Sequence, residues 1–410
     1  MIDAWLKEEQ FSAEEYNAVE LLHAFQQEMQ AGLAGERSSL PMLPSYIKPV
    51  EQIEPQTVAF IDAGGTNLRV GLATFDAAGE VHFSDVHEQE MPGRSVSIEA
   101  DAFYNVIVDR LAKFSDRFNR IGFCFSYPAE IQPNGDGKLL YWTKEIKIPA
   151  LVGSLIGEGL IQALNERGVH NKSVVLLNDT VATLLAGCAD GQSFAATNFV
   201  GFILGTGTNT AALHEGSIIN LESGGFASFR RTRADRWLDE RSEQPGTHVF
   251  EKAISGAYLG PLTYALLQPL LDKEVFSSSA KKALERMDTI STIDLSLCVG
   301  GASTSSWLYS EAFSQSDRDS LTSLFHAVVD RAALFSAVNV AAAVLQGGPS
   351  GQRACITVDG STFYKTPGLA HKMEAYLTEL LDAHNIEFTL IQVEDAPARG
   401  AAIAALSQLD

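Results

Sequence analysis

Basic residues are scarce in this chain of 410 residues. It has 30 lysines and arginines against 51 aspartates and glutamates, which gives a formal net charge of -21 at pH 7. Such an excess of negative charge opposes binding to phosphate backbones and to anionic lipid surfaces. The composition therefore predicts a protein that binds neither nucleic acid nor membranes. It also predicts that an anionic substrate needs local hydrogen-bond donors, because the overall field opposes its approach.

Cysteine is also rare, and the 4 cysteines form no CxxC pair. Cys124, Cys188, Cys298 and Cys355 are scattered, as expected of reduced and mostly buried thiols in a cytoplasmic protein. The chain does not begin with a basic segment followed by an apolar core, so no signal peptide is predicted. The most apolar long run, residues 332–345, is too short to cross a bilayer and is predicted to be a buried helix.

The chain also lacks the lysine and the following helix of a P-loop, but residues 58–75 offer another device for phosphate. Two apolar runs, 58–61 and 70–75, flank a glycine-rich polar turn, which predicts a β-hairpin. Glycines let backbone N–H groups approach an anion, and a carboxylate in the turn could face a hydrated metal ion. An ordinary hairpin turn explains this stretch, taken alone, equally well. The polar residues of the turn are Asp62, Gly64, Gly65, Thr66, Asn67 and Arg69.

Residues 199–213 repeat this design. Gly205, Thr206, Gly207 and Asn209 lie between two apolar runs, as the polar residues of the first turn do. This self-similarity indicates two related halves, each offering a phosphate-binding hairpin to a shared cleft. A nucleotide held between two such hairpins is typical of the actin-like ATPase and sugar-kinase fold.

Strands and helices alternate along most of the chain, which predicts an α/β architecture with mixed β-sheets flanked by helices. At this length we expect two domains with the active-site cleft between them. The predicted small domain comprises residues 57–180 and 400–410, and the large domain comprises 1–56 and 181–399. Polar residues follow several predicted strand ends, where α/β folds place their sites. These residues are Asp62, Ser126, Asp179, Glu222 and Asp359.

Two further predictions concern local structure. The residues Ser12-Ala-Glu-Glu15 form a capping-box pattern, which predicts that a helix with Leu22 and Phe25 on its apolar face begins there. The charged run 230–236 is predicted to be a solvated loop.

Taken together, these motifs resemble the hexokinase/glucokinase family, and they occur in the family's order over most of the chain. The resemblance implies a single-unit hexokinase of bacterial size with the two-domain actin-like ATPase (ribonuclease H-like) fold. One glycine-rich turn is weak evidence, whereas an ordered set of motifs is strong. The matching segments are 42–46, 59–69, 125–128, 142–144, 177–183, 205–209, 220–226, 245–252 and 358–361.

The resemblance also implies the chemistry. Asp179 would be the general base that accepts the proton of the sugar 6-hydroxyl as this oxygen attacks the γ-phosphorus of ATP. Lys144 would hold the sugar and add positive charge near the transferred group. Simpler interpretations are a helix N-cap for the segment Asn178-Asp179 and an exposed strand residue for Lys144. The remaining sugar contacts would be Ser126, Thr143, Asn178, Asn209, Glu222 and Glu251.

The nucleotide contacts follow in the same way, with ATP and Mg²⁺ as the implied cofactors. Asp62 would reach the metal ion through water, and the two hairpins would hold the phosphates. Asp359, Gly360 and Ser361 would lie beside the adenosine, although a surface turn explains them as well. The residues implied to bind the nucleotide are Asp62, Gly64, Gly65, Thr66, Asn67, Arg69, Gly205, Thr206, Gly207, Asp359, Gly360 and Ser361.

Several positions depart from the family pattern. Ser223 stands where the family has tryptophan and His248 where it has glutamine, both beside the sugar. Ala257 replaces a lysine near the nucleotide, and residues 396–399 lack two of the family's glycines.

The function that the resemblance implies is an ATP-dependent hexokinase that acts on glucose or another hexose. A kinase for mannose, fructose or an amino sugar, a donor other than ATP, and a non-catalytic sugar sensor are the alternatives. The oligomeric state is left open.

Overall fold

The computed structural model describes residues 1–50, 53–143, 145–190, 194–300, 307–348 and 352–407. In this part of the chain the strands are β1 (Leu43–Pro44), β2 (Gln56–Ala63), β3 (Asn67–Phe75), β4 (Val81–Glu90), β5 (Arg120–Phe125), β6 (Ala129–Ile131), β7 (Gly137–Leu139), β8 (Ser173–Leu177), β9 (Asn198–Leu204), β10 (Thr208–His214), β11 (Ser217–Asn220), β12 (Arg353–Asp359) and β13 (Glu387–Ile391).

The helices in the same ranges are α1 (Ile2–Glu8), α2 (Ala18–Leu33), α3 (Ala100–Leu111), α4 (Ile156–Glu166), α5 (Asp179–Asp190), α6 (Arg233–Glu240), α7 (Glu251–Ile254), α8 (Leu259–Leu267), α9 (Ser278–Leu284), α10 (Thr292–Val299), α11 (Gln315–Gln346), α12 (Ser361–Lys365), α13 (Leu369–Asp382) and α14 (Ala396–Ala404). Strands and helices alternate as predicted.

Two mixed sheets share one plan. The first has the strand order β4-β3-β2-β5-β8, and the second has the order β1-β11-β10-β9-β12-β13. In each sheet an antiparallel meander of three consecutive strands continues into two parallel strands. The predicted repeat of the two glycine-rich hairpins is therefore part of a repeat of whole sheets. The assignment of residue ranges to a small and a large domain stays a prediction.

Helices α5 and α14 pack closely against each other and against the first sheet. A Cβ atom added to Gly400 of α14 would lie 2.0 Å from the carbonyl oxygen of Ala182 in α5. A Cβ atom added to Gly122 of β5 would lie 1.7 Å from the carbonyl oxygen of Ala401. Both distances are far below van der Waals contact, so only glycine permits this backbone approach. The two glycines thereby hold α5, whose first residue is Asp179, against the first sheet.

Helix α11 confirms the predicted buried helix and extends it in both directions. It is long and apolar enough to cross a membrane by length and composition, but 89% of its most apolar window is buried inside the structure. Its apolar residues belong to the main hydrophobic core, together with residues of α2, α8 and α13. Within the described residues, α11 is thus the central helix of the larger core.

Two predictions of local structure were wrong. Ser12 makes no side-chain capping bond, and residues 13–15 form only a 3-10 turn, because Tyr16 is extended and interrupts the helix. Helix α2 instead begins after Asn17, whose side chain accepts hydrogen bonds from the N–H groups of Val19 and Glu20. The charged run 230–236 is not entirely a loop, since α6 begins at Arg233. Thr232 and Asp235 form a capping box at the start of this helix.

A buried ion pair joins α6 to α11. Both guanidinium NH₂ groups of Arg331 donate to Asp235, at 2.6 and 2.9 Å, and Arg331 is completely buried. Burial alone would raise the pKa of Asp235, but Arg331 and Thr232 outweigh it and hold this pKa below its usual value. The guanidinium group also lies 3.8 Å from the ring centroid of Phe11. Neither charge can be removed alone without leaving the other one unpaired in the core.

We expect Arg331→Met to lower the free energy of unfolding by about 3–5 kcal/mol, because the Asp235 carboxylate then stays buried without a partner. Chemical denaturation of the purified protein measures this loss. The matched control is Arg353→Met, which breaks the exposed ion pair with Glu387 and should have little effect. Equal stability losses in the two variants would show that the buried pair has no special role.

Candidate active site

The first glycine-rich turn joins β2 and β3, as predicted. The N–H of Gly64 donates to the carbonyl oxygen of Asn67 at 3.0 Å, which closes the turn. The Tyr127 hydroxyl donates to the carbonyl oxygen of Gly64 at 2.6 Å, and the N–H of Ser126 donates to that of Ala63 at 3.1 Å. The segment that follows β5 thus supports the turn from behind. Thr66 at the tip is exposed and accessible to a ligand.

The second glycine-rich turn joins β9 and β10 in the same way. The N–H of Gly205 donates to the carbonyl oxygen of Gly207 at 2.9 Å. The carbonyl oxygen of Gly205 accepts from the N–H of Gly256 at 2.9 Å and from the Thr362 hydroxyl at 2.7 Å. Thr206 between the two glycines is exposed. The turn is therefore fixed by neighbouring loops while its tip stays open.

The turn at residues 359–361 lies directly against the second hairpin. Gly360 has a φ of 114°, and a Cβ atom there would lie 2.4 Å from the backbone of Leu204. Glycine is needed for both reasons. The N–H of Gly360 donates to Asp359 at 2.7 Å, and the exposed Ser361 begins α12. The predicted adenosine turn and the predicted second phosphate turn are thus neighbours.

The Arg69 side chain donates hydrogen bonds both to Asp62, at the end of β2, and to Asp395, a residue that was not predicted to belong to the site. The Arg69 Nε donates to Asp62 at 3.2 Å, and Nη1 donates to Asp395 at 2.7 Å. Asp395 precedes α14 in a left-handed conformation with a φ of 54°. Its sequence signal is an acidic residue between a strand and a helix start, the same pattern that marked Asp179. Arg69 therefore links the first hairpin to the start of α14.

Asp179 is the first residue of α5. The capping role falls to Asn178, whose side-chain oxygen accepts from the N–H of Thr180 at 2.8 Å. The carbonyl oxygen of Asp179 accepts from the Thr183 hydroxyl at 2.9 Å, and its carboxylate accepts from the Thr180 hydroxyl at 3.3 Å. The helix start thus orients the Asp179 carboxylate without using it as the cap.

Carboxylates from both sheets converge on Asp179. Burial raises the pKa values of Asp62, Glu222 and Asp359, and the negative charge of Asp179 raises each of them further. For Asp62 the result is a pKa of about 6, although Arg69 acts in the opposite direction. These three acids follow or end strands β2, β11 and β12. Because the charge of Asp179 affects all three acids, they lie within electrostatic range of the start of α5.

A network of amides and carboxylates lies beside the second hairpin. Asn209 donates to Asn220 at 2.8 Å, and Asn220 donates to Glu222 at 2.7 Å. Glu222 is left-handed with a φ of 54°, which turns its side chain at the end of β11. The Glu251 carboxylate accepts from the N–H of Thr208 at 3.0 Å. Asn220 was not selected as a site residue, although it begins the matching segment 220–226 and stands two residues before Glu222.

The other predicted site residues have less direct evidence. Lys144 lies outside the described residues. Thr143 follows Trp142, whose ring packs 4.8 Å from that of Tyr127 next to the first hairpin. The Asn67 side chain donates to Glu88 on β4, so it is already engaged within the first sheet. Gly65 is partly exposed in the first turn.

The donor set fits a metal ion that is held through water and substrate. Among the described residues, no group of three histidine, cysteine, aspartate or glutamate side chains could hold a metal ion by itself. Asp62 supplies one carboxylate beside the first glycine-rich turn, and Mg²⁺ commonly binds one or two carboxylates together with substrate phosphates. The chemistry of Asp62 therefore suits Mg²⁺ that arrives with a nucleotide.

Comparison with known proteins gives one consistent answer. Two family models, both described as hexokinase, match residues 5–189 and 199–407. The chain is 29% identical to Hexokinase-7 of Oryza sativa subsp. japonica, over 92% of this chain and 90% of that protein. It is also 29% identical to Hexokinase-1 of Arabidopsis thaliana, over 93% of this chain and 86% of that protein.

Solved structures agree with these relatives. The hexokinase of Schistosoma mansoni complexed with glucose superposes with a TM-score of 0.76 at 25% identity, covering 99% of this chain and 100% of that chain. Another hexokinase crystal structure has a TM-score of 0.83 at 22% identity and covers 99% of this chain and 98% of that chain, which supports the fold. The predicted actin-like ATPase fold is confirmed, and this chain belongs to the hexokinase family.

Proposed function

We propose that this chain transfers the γ-phosphoryl group of ATP to the 6-hydroxyl of glucose, with Asp179 as the general base. Its family makes it an ATP-dependent kinase of hexoses. The choice of glucose is supported by the related hexokinase of Schistosoma mansoni, whose structure contains glucose. The observation that carries the proposal is the convergence of Asp62, Glu222 and Asp359 on Asp179.

In the proposed reaction, Glu222, Glu251 and Asn209 bind the sugar hydroxyls. Carboxylates accept hydrogen bonds from neighbouring hydroxyls, and the amide both donates and accepts, so the set can select one arrangement of hydroxyls. The buried network around Asn220 holds Glu222 in place before the sugar arrives. This preorganisation reduces the entropy lost on binding.

Asp179 would then accept the proton of the 6-hydroxyl while the hydroxyl oxygen bonds to the γ-phosphorus. The bond between the γ-phosphorus and the oxygen that bridges it to the β-phosphate breaks in the same step. Phosphoryl transfer depends more on orientation than on a strong base, so an aspartate suffices. The hydrogen bond from Thr180 and the fixed helix start restrict the carboxylate to few orientations. Closure of the two lobes on the sugar would exclude water and suppress hydrolysis of ATP.

On the nucleotide side, the two glycine-rich turns would hold the phosphates with backbone N–H groups and with Thr66 and Thr206. Arg69 would contribute its positive charge, and Asp62 would hold Mg²⁺ through water. When bound, Mg²⁺ neutralises charge that develops on the phosphate oxygens. Asp359, Gly360 and Ser361 would border the adenosine. We further propose that the protein acts in the cytoplasm, where its scattered thiols stay reduced.

We expect Asp179→Ala to bind sugar almost normally but to lose turnover by about 10²–10⁴-fold, the usual contribution of a general base. Steady-state kinetics and calorimetric titration with glucose measure the two effects. Asp382→Asn, at an exposed position of α13, serves as a control for removing an aspartate charge and should keep full activity. Substantial residual kcat in Asp179→Ala would remove this residue from its proposed role.

The raised pKa of Asp62 predicts the pH dependence of the reaction. Its carboxylate takes up a proton as the pH falls through about 6, so kcat/KM for ATP with Mg²⁺ should decline below that pH. The decline should be absent in Asp62→Asn, which has low activity at every pH because it lacks the charge. If Asp62→Asn retains the same acidic decline, another group is responsible.

A panel of acceptors and donors tests substrate choice. Purified protein with ATP and Mg²⁺ should release ADP with glucose faster than with mannose, fructose or glucosamine. Sugar-dependent release of ADP excludes a non-catalytic sensor. Replacing ATP by polyphosphate examines the nucleotide side, where Ala257 and residues 396–399 depart from the family pattern. Faster turnover with polyphosphate than with ATP would overturn the proposed donor.

A further inference from the structure

Three buried polar side chains lie behind the predicted sugar site and have no role in the proposed reaction. Thr210 of β10, Ser223 of the turn after β11 and Asn339 of α11 are each 0% exposed. The Asn339 Nδ2 donates to the Thr210 hydroxyl at 2.8 Å, and the hydroxyl oxygens of Thr210 and Ser223 are 3.0 Å apart. We call these three residues the Asn339 cluster. It connects the central helix of the larger core to the second sheet and to the turn that begins at Ser223.

An asparagine in the middle of a buried helix requires a physical reason. Asparagine is a poor helix former, and burying its amide costs free energy unless the amide is hydrogen-bonded. Its neighbours Val338 and Val340 are apolar and completely buried. Joining helix to sheet is one reason, since Asn198 of β9 also donates to the Val344 carbonyl oxygen of α11, at 2.7 Å. The Asn339 cluster does more than this, because it also contacts the predicted sugar site.

That contact passes through the side-chain amide of Asn209. The backbone N–H groups of Thr210 and Ser223 both donate to the Asn209 Oδ1, at 2.7 and 3.3 Å. The Nδ2 on the other side of the amide donates to Asn220 at 2.8 Å and to Glu222 at 3.5 Å. The orientation of this amide therefore depends on the separation of the two backbone N–H groups, which the Asn339 cluster fixes.

The backbone between the two strands and the turn is strained at this point. The N–H of Leu221 donates to the carbonyl oxygen of Thr210 at 2.9 Å, one residue beyond the end of β11. Glu222 then adopts a φ of 54°, a left-handed conformation that a residue other than glycine keeps only where its surroundings enforce it. Residues 223–225 form a 3-10 turn. The Asn339 cluster anchors the start of this turn directly after the strained residue.

The cluster also lies where this chain departs from the family pattern. The family has tryptophan at the position of Ser223. Here the Asn339 Nδ2 is only 3.5 Å from the Ser223 Oγ, so no space remains for an indole ring. Buried hydrogen bonds thus support the residue after Glu222 in this chain, where the family pattern has a large aromatic side chain.

We propose that the Asn339 cluster positions Asn209 and Glu222 to bind the sugar hydroxyls. This inference rests on the proposed function, in which these two residues bind the sugar. Asn339 is a positioning residue, because it acts through Thr210 and Ser223. A preorganised site loses less entropy when a ligand binds, so breaking the cluster weakens sugar binding. The nucleotide side is unaffected, because no member of the cluster is implied to contact the nucleotide.

Two substitutions of Thr210 separate positioning from packing. Thr210→Val keeps the shape of the side chain but removes the hydroxyl, so the Kd for the hexose with the fastest turnover, expected to be glucose, should rise about three- to tenfold. Thr210→Ser keeps the hydroxyl but loses a buried methyl group, so its Tm should fall while its sugar affinity stays near that of the wild type. Calorimetric titration and thermal unfolding measure these effects. The KM for ATP should be unchanged in both variants.

Asn339 provides the second test. Asn339→Ala removes the donor and should raise the sugar Kd by a similar factor. Combining it with Thr210→Val should add little further loss, because both substitutions break the same connection. The matched control is Ser336→Ala, which removes another buried polar group of α11, one without a hydrogen-bond partner among the described residues. Its sugar Kd should equal that of the wild type, and circular dichroism verifies that each variant folds.

Two results would overturn this inference alone. An unchanged sugar Kd in both Thr210→Val and Asn339→Ala would mean that the cluster does not position the site. An equal loss of affinity in Thr210→Ser and Thr210→Val, in step with the Tm, would mean that the cluster contributes only packing. A wild-type chain that binds no hexose would instead overturn the proposed function, and this inference with it.

Discussion

Crowding of carboxylates around the start of α5 is the constraint on which the rest of the structure depends. Asp179 at the start of α5 lies within electrostatic range of Asp62 and Asp359, which belong to β2 and β12, and of Glu222, which follows β11. Burial raises the pKa values of Asp62, Glu222 and Asp359, and the negative charge of Asp179 raises them further. Like charges held this close repel one another. The fold must therefore force them together, and bound hydroxyl donors or a cation would relieve the repulsion.

Close backbone packing supplies that force. Gly400 and Gly122 allow α14, α5 and β5 to approach at distances that any side chain would prevent. The N-terminus of α5 is thereby held at the edge where the parallel strands of the first sheet end. Positive partial charge at a helix N-terminus also favours a carboxylate there. Arg69 offsets further repulsion, since it bridges Asp62 and Asp395.

The duplicated sheet plan explains why the cleft has two similar walls. Each half presents a hairpin turn rich in glycine, and each turn is supported by a different neighbour: Tyr127 in one half and Gly256 with Thr362 in the other. Rigid support behind an open tip suits a site that must hold a ligand without reorganising.

The sequence by itself determined the strands and the repeated hairpins and predicted the candidate site residues, because period-two apolar runs, glycine pairs and acids at strand ends are local signals. It could not reveal Asp395, since the importance of this residue comes from Arg69, a partner that only folding brings within hydrogen-bond distance. It also misjudged Ser12 and the run 230–236, where an extended Tyr16 and the buried pair of Asp235 with Arg331 override local propensity. Only the tertiary structure decided which charges meet, because electrostatic and packing energies depend on distance in space and not on separation along the chain.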